Sequence, residues 1–402
     1  MHIALLCDPA SFHTQKWANG LRNGGASVTV FSFSEARLDN IPCVRISPRF
    51  APGGKLTYAS FLYSGDRLHD ALKAHRVDIL NPVNMTPYGV WAARSGFKPI
   101  AGITMGADIL EYPPDHRASP LQGNRSWSNV EGRNTLLRKF RNRFARHFFR
   151  HHVKNALDAC SFITGDNLVL VKAVRDWFGI PADKIHLNRW GIEPERFFVP
   201  EDRLELLRRK FNIRKGQTVV LSPRGVKAIY QGDIILQAFE RLLDEGRPNV
   251  KFIMLSAGYE IPAAIEAHAK QLEKRFENFH FHRGLIPRTE LIDLWPLVDI
   301  FISAPVYDGY SNAVSEGRFI GAIPVVNAIP GNLELIRHGV NGWVVNPFAP
   351  EKLAKALGGI LADPDIWKER FRAANREWIE THSLLDANIK AFLDLCRKET
   401  GS

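Results

Sequence analysis

Cysteine is scarce in this sequence, and its few copies are far apart. Cys7, Cys43, Cys160 and Cys396 have no spacing that fits a zinc site or a redox pair. Cys7 lies inside a strand-like apolar run, and the four are expected as buried thiols of a reducing cytoplasm. Long apolar runs are absent as well: no stretch reaches the ~20 residues that a membrane-spanning helix needs. Met1-His2-Ile3 runs straight into a short strand with no basic leader before it. The expectation is a cytoplasmic protein, soluble or peripheral on the inner face of the membrane. Low-complexity tracts and short repeats are missing too, so neither a disordered chain nor a solenoid is indicated.

Acid is in the minority. Against 42 Asp and Glu stand 53 Lys and Arg, a net charge of +11, which suits nucleic acid, a membrane surface or a phosphorylated substrate. No nucleic-acid reading motif accompanies that charge, so no nucleic-acid partner is expected. With 402 residues, 45% of them apolar, the chain can bury two ordinary cores but is long for one.

Strand-like runs alternate with amphipathic stretches, the pattern of parallel sheets covered by helices on both faces. A first series of strands is expected at 2–7, 27–33, 78–83, 99–104 and 161–165, with helices at 12–22 and 167–178. A second starts afresh at 218–222 and continues through 251–256, 279–282, 299–304, 324–327 and 342–345. The charged, Pro-containing stretch from Glu193 to Gly216 reads as the boundary. The predicted domains are therefore 1–200 and 201–383, with a helix in 384–402 packing back on the first. Ligands of open parallel sheets bind beyond the carboxyl ends of the strands, so two doubly wound α/β domains facing each other would line one cleft.

The motifs do follow strands. After the run at 299–304 comes Pro305-Val306-Tyr307-Asp308-Gly309-Tyr310-Ser311-Asn312-Ala313-Val314-Ser315-Glu316-Gly317. Asp308-Gly309 is a turn, and Ser311 or Asn312 can cap a helix. Its free amides and dipole make an anion site suited to a diphosphate. Glu316 belongs to that helix.

Two acids with seven residues between them, followed by Gly321-Ala322-Ile323-Pro324-Val325-Val326 and by Pro330-Gly331-Asn332-Leu333-Glu334-Leu335-Ile336, resemble glycosyltransferase family 4. So do Asn341-Gly342-Trp343-Val344-Val345, the stretch from Pro181 to Phe197, the loop Ser222-Pro223-Arg224-Gly225-Val226-Lys227, and His13-Thr14-Gln15-Lys16-Trp17-Ala18 with Gly25-Ala26-Ser27-Val28. The resemblance spans nearly the whole chain apart from roughly 113–150.

What it implies is a GT-B fold of two Rossmann-like domains, transfer with retention of anomeric configuration, no essential metal, and a nucleotide-diphosphate sugar held by the C-terminal domain. Breaking the bond from sugar to diphosphate leaves negative charge on the leaving phosphate, which cations and amides stabilise. By resemblance Arg224 and Lys227 take that role. Asp308 contacts the transferred sugar, Gly309, Tyr310, Ser311 and Asn312 receive its phosphate, and Glu316 accepts from the ribose hydroxyls. Loops near Ser256–Tyr259 and at Gly284 and Leu285 face the base, UDP- and GDP-sugars both remaining open. His13 falls near the reacting groups, and Ser11 and Asp108 on the acceptor side, for a glycan, lipid-linked or small-molecule acceptor. Alternatives are another GT-B enzyme, such as a nucleotide-sugar epimerase, or a non-catalytic sugar-nucleotide-binding protein.

Three departures from the family pattern stand out. Asp308 replaces the usual Glu, Tyr230 stands where a lysine is usual, and the loop Asp8-Pro9-Ala10-Ser11-Phe12 lacks paired glycines. A metal-dependent enzyme would need an Asp-x-Asp pair at a strand end; Asp363 and Asp365 read instead as a helix cap. Finally, residues 133–154 carry Arg133, Arg138, Lys139, Arg141, Arg143, Arg146, Arg150 and Lys154 with no acid between them, while Leu137, Phe140, Phe144 and Phe148 recur at helical spacing. That basic amphipathic helix fits either a core-packed helix or an anionic membrane surface.

Overall fold

The structure, a computed structural model, describes residues 1–35, 38–114 and 136–401, and the side chains of 136–146 lie outside that description. Arg133 and the side chains of Leu137, Arg138, Lys139, Phe140, Arg141, Arg143, Phe144 and Arg146 are therefore outside the described residues. The chain forms two compact units. One holds the described residues within Met1–Gln122, Gly132–Trp190 and Leu385–Ser402, the other those of Gly191–Leu384. The division falls at Trp190 rather than near residue 200. Ile192 already pairs with Leu384, its amide bonded to the Ser383 carbonyl at 2.8 Å, which draws the charged stretch into the second unit.

The first unit contains β1 (His2–Leu6), β2 (Ser27–Ser32), β3 (Cys43–Arg45), β4 (Ile79–Pro82), β5 (Ala101–Thr104), β6 (Phe162–Gly165) and β7 (Ile185–Leu187). The strands are parallel, in the orders β3-β2-β1-β4 and β5-β6-β7. Parallel bridges Leu80–Ile100 and Val83–Ile103 join the two sets into one sheet. Every expected strand is present, and β3, three residues at the edge with none of them buried, has no apolar run to announce it. The helix Leu385–Thr400 lies on this unit, with Phe392 edge-on to Trp17 at 5.0 Å. Burial of such a side chain stabilises by about 1.5–3 kcal/mol.

The second unit carries β8 (Thr218–Ser222), β9 (Val250–Leu255), β10 (Phe279–His282), β11 (Ile300–Ser303), β12 (Ile323–Asn327) and β13 (Trp343–Val345), all parallel in the order β10-β9-β8-β11-β12-β13. Alternate residues face opposite ways: Val219 and Leu221 join one buried cluster and Val220 the other. Both faces are covered, which is why these strands read as continuous apolar runs. Chain order reverses between β8 and β11, so the loops after those strands diverge to opposite faces and leave a crevice between them. None of the described helices is long and apolar enough to cross a membrane.

Candidate functional site

The two loops at the reversal point of the second sheet are stitched together. The Val306 amide donates to the Ile229 carbonyl at 2.8 Å, and Gln231 Nε2 donates to the Ala304 carbonyl at 2.9 Å. Asn327 Nδ2 donates to the Pro305 carbonyl at 2.7 Å and Asn332 Nδ2 to Asn327 Oδ1 at 2.8 Å, fixing the same loop from β12. Within this frame Arg224, just beyond β8, donates through Nη1 to the Asp308 carboxylate at 2.5 Å and to Ser311 Oγ at 2.7 Å. Burial disfavours the charged guanidinium, but the Asp308 carboxylate and the Tyr230 phenol outweigh it and hold Arg224 above its usual basicity.

Ser311 caps the helix Asn312–Ile320, its Oγ accepting from the Val314 amide at 3.4 Å. This helix is sunk into the unit rather than laid on its surface. Gly317 sits directly on Phe301 of β11, where any Cβ would collide with the ring. The first turn is thereby held at the end of β11 beside Arg224, so free amides and a cation converge on one spot. An anion is what such a spot binds.

Glu316 and Tyr310 face inward instead. Glu316 is 2% exposed and takes Arg288 on one carboxylate oxygen and Trp295 Nε1, at 2.9 Å, on the other. Burial, together with the Arg196 charge, lowers Arg288 to about 10. The Tyr310 hydroxyl bonds Ser383 and Ser315 inside the core. The ribose role expected of Glu316 thus meets a carboxylate already bonded at both oxygens, and Tyr310 offers only its backbone to a ligand. Lys227 is exposed, with Nζ 3.7 Å from the Tyr259 ring centroid. Gly284 accepts from Ser256 Oγ at 3.1 Å and from the Gly258 amide at 2.9 Å, and Leu285 beside it is 75% exposed.

In the first unit the loops after β1 and β4 hold the corresponding place. Ser11 stands at the N-cap of the helix Phe12–Asn23 without a side-chain capping bond, and His13 lies edge-on to Trp190 at 5.5 Å. Asp108 is not presented to a ligand. Its carboxylate is buried and accepts from the amides of Met85 (2.8 Å), Gly106 (2.9 Å) and Met105 (3.0 Å). Burial pushes its carboxyl above the ordinary range despite those amides. It organises the loops after β4 and β5 and is not the acceptor contact expected of it.

The sequence matches "Glycosyl transferase 4-like" over residues 2–126 and "Glycosyl transferases group 1" over residues 219–363. The chain belongs to glycosyltransferase family 4. It is 25% identical over 248 residues to an uncharacterized glycosyltransferase of Methanocaldococcus jannaschii, covering 60% of this chain and 59% of that one. To the D-inositol 3-phosphate glycosyltransferase of Thermobifida fusca it is 24% identical over 231 residues, 52% of each. The chain thus spans little more than half the length of these curated relatives. In fold it resembles Anabaena HepE, solved in complex with UDP and glucose, at a TM-score of 0.70, 15% identity, and coverage of 99% of this chain and 100% of that one.

The structure brings together Arg224, Asp308, Gly309, Ser311 and Asn312, residues of the expected donor set. It withdraws the side chains of Tyr310, Glu316 and Asp108 into bonded interiors. Gln231, which ties the loops, went unassigned in the sequence, and Tyr259, expected only as part of a loop facing the base, carries Lys227. The positive φ of +54° at Gln231 leaves no signature in a residue that is not glycine. Asp363 caps the helix Pro364–His382 through the Ile366 amide at 3.2 Å, as its spacing suggested.

Proposed function

We propose that the protein transfers a sugar, with retention of configuration, from a nucleotide-diphosphate sugar to a glycan, lipid-linked or small-molecule acceptor. The observation that carries this reading is the convergence of Arg224, Ser311 and the first turn of the helix Asn312–Ile320 at the reversal point of the second sheet. A leaving diphosphate gains charge as the glycosidic bond breaks, and a guanidinium with oriented amides lowers that barrier most when held in advance. Asp308 pairs with Arg224 until the donor arrives and then accepts from hydroxyls of the sugar. Arg224 and the amides supply the positive potential, so no metal is required. Uridine is the favoured base, supported by the UDP bound to HepE, with the GDP-sugar as the other outcome. The second unit is assigned the donor and the first the acceptor, with Ser11 as an acceptor-side residue and His13 as a catalytic candidate.

The test is turnover. With a panel of UDP- and GDP-sugars, free nucleoside diphosphate should be released when an acceptor is supplied, and activity should survive a metal chelator. Diphosphate release independent of acceptor refutes transfer, and loss restored by manganese refutes metal independence. The basic stretch 133–154 is proposed to dock the cytoplasmic enzyme on anionic lipid, each cation near the surface contributing about 1 kcal/mol. Sedimentation with anionic but not neutral vesicles checks it.

A further inference from the structure

Next to Arg224 lies a ladder of aromatic rings and cations that the diphosphate reading leaves unused. The Arg224 guanidinium carbon is 4.9 Å from the centroid of Tyr230. Tyr230 stacks on Tyr259 of the neighbouring loop, centroids 6.2 Å apart and planes at 27°. Tyr259 in turn carries the Lys227 ammonium at 3.7 Å. The loops are shaped for this. Gly225 has φ +87°, and a Cβ there would come within 2.9 Å of Tyr259 Cδ2 and 3.0 Å of the Ser256 carbonyl. The Tyr230 amide closes a turn on the Lys227 carbonyl at 2.8 Å, and the Tyr259 amide one on the Ser256 carbonyl at 3.2 Å.

A guanidinium makes its hydrogen bonds in its own plane and its aromatic contacts through its faces. Asp308 and Ser311 use the Nη1 edge of Arg224, which is the edge an incoming phosphate needs. Tyr230 packs its ring against the guanidinium and adds a side-chain hydrogen bond to it, beside the Nη1 contacts of Asp308 and Ser311. An arginine fixed only by its edge would regain rotamer freedom each time its partner left, and would lose it again on binding.

We infer that Tyr230 and Tyr259 are positioning residues that keep Arg224 in place while its partner changes from Asp308 to the donor's phosphate. This rests on the assignment of Arg224 to the diphosphate. Tyr259 backs Tyr230, and Lys227 adds its charge to the outer ring, so the ladder does for this loop part of what a second phosphate-binding cation would do.

The test compares, by titration calorimetry on the full chain, a nucleoside diphosphate with the monophosphate of the same base: UDP with UMP, and GDP with GMP. Wild type should prefer the diphosphate, and Arg224→Ala should erase most of that preference. Tyr230→Leu should lower it by about tenfold, the scale of a desolvated cation–aromatic contact. Monophosphate affinity should stay within about threefold, and Tyr230→Phe should keep most of the preference. Tyr259→Leu, on the other loop, should act in the same direction and serves if Tyr230→Leu does not fold. Added to Arg224→Ala, either change should cost nothing further, because positioning acts through Arg224. If Tyr230→Leu and Tyr259→Leu keep the wild-type preference, weaken both nucleotides alike, or add their full loss to Arg224→Ala, the inference is overturned. If Arg224→Ala itself keeps the preference, the diphosphate assignment fails, and the inference with it.

Discussion

Arg224 and Asp308, 84 positions apart in sequence, form one ion pair at 2.5 Å, each side chain 19% exposed. They come from separate motifs, a basic loop after β8 and an acid turn after β11, and they meet because chain order reverses between those two strands. Each holds the other's charge in a partly desolvated place, where an unpaired charge is costly. Under the proposed function, a donor that inserts its diphosphate beside Arg224 would inherit a cation already oriented.

Arg224→Ala is expected to slow transfer by about a hundred- to a thousandfold, the usual cost of losing one donor to a developing anion. The fold should persist, since Asp308 is left with access to water. Initial rates at saturating donor check this, and activity within threefold of wild type would remove Arg224 from the reaction.

Asp308→Asn should lower turnover more than donor affinity, because the amide frees the Arg224 edge for phosphate while giving up the sugar contact. Calorimetry with intact donor, set beside initial rates, separates the two effects. Weaker donor binding with unchanged turnover would reverse the assignment.

Glu316→Gln acts on the fold first. Glu316 is buried and answers both Arg288 and Trp295, and a neutral amide takes the negative charge of that pair away from Arg288. A loss of about 1–3 kcal/mol in denaturant unfolding is expected. An unchanged midpoint together with weakened donor binding would return Glu316 to the ribose.

His280 makes stability depend on acid. Burial, then the charge of Lys251, holds the imidazole down to about 4, with Glu273 opposing and His282 and Arg283 adding to the depression. The unfolded chain takes up this proton near pH 6.5 and the folded chain only near 4, so stability falls as pH drops through that window. Discounted for partial exposure, the loss is about 1–2 kcal/mol. Phe211 packs edge-on to the ring at 5.3 Å, so His280→Phe should flatten the slope between pH 6.5 and 4 in chemical unfolding. An unchanged slope would move the effect elsewhere.

Much of this architecture was readable in advance because the strands of a doubly covered parallel sheet must be apolar on both faces. Thr218–Ser222 and Phe279–His282 fall where the apolar runs place them. Cys43–Arg45 stayed hidden because an edge strand with no buried residue needs no such run. Arg224, Ser311 and Asn312 were legible as a candidate site because each follows a strand. Asp108 and Glu316 were legible as acids but not as bonded ones. A carboxylate reaching for a ligand and one holding an arginine or three amides look the same along a chain.

The sequence by itself determined two α/β units, the family, and the strand ends that carry the candidate site, since periodicity and motif order are local properties of the chain. Only the tertiary structure decided which charges are spent internally. Asp108 binds the amides of its own loops, Glu316 binds Arg288, and Arg224 is shared between Asp308 and a ring ladder. That division depends on distances across strands far apart in sequence, where desolvation makes every charge find a partner, and no local pattern encodes them.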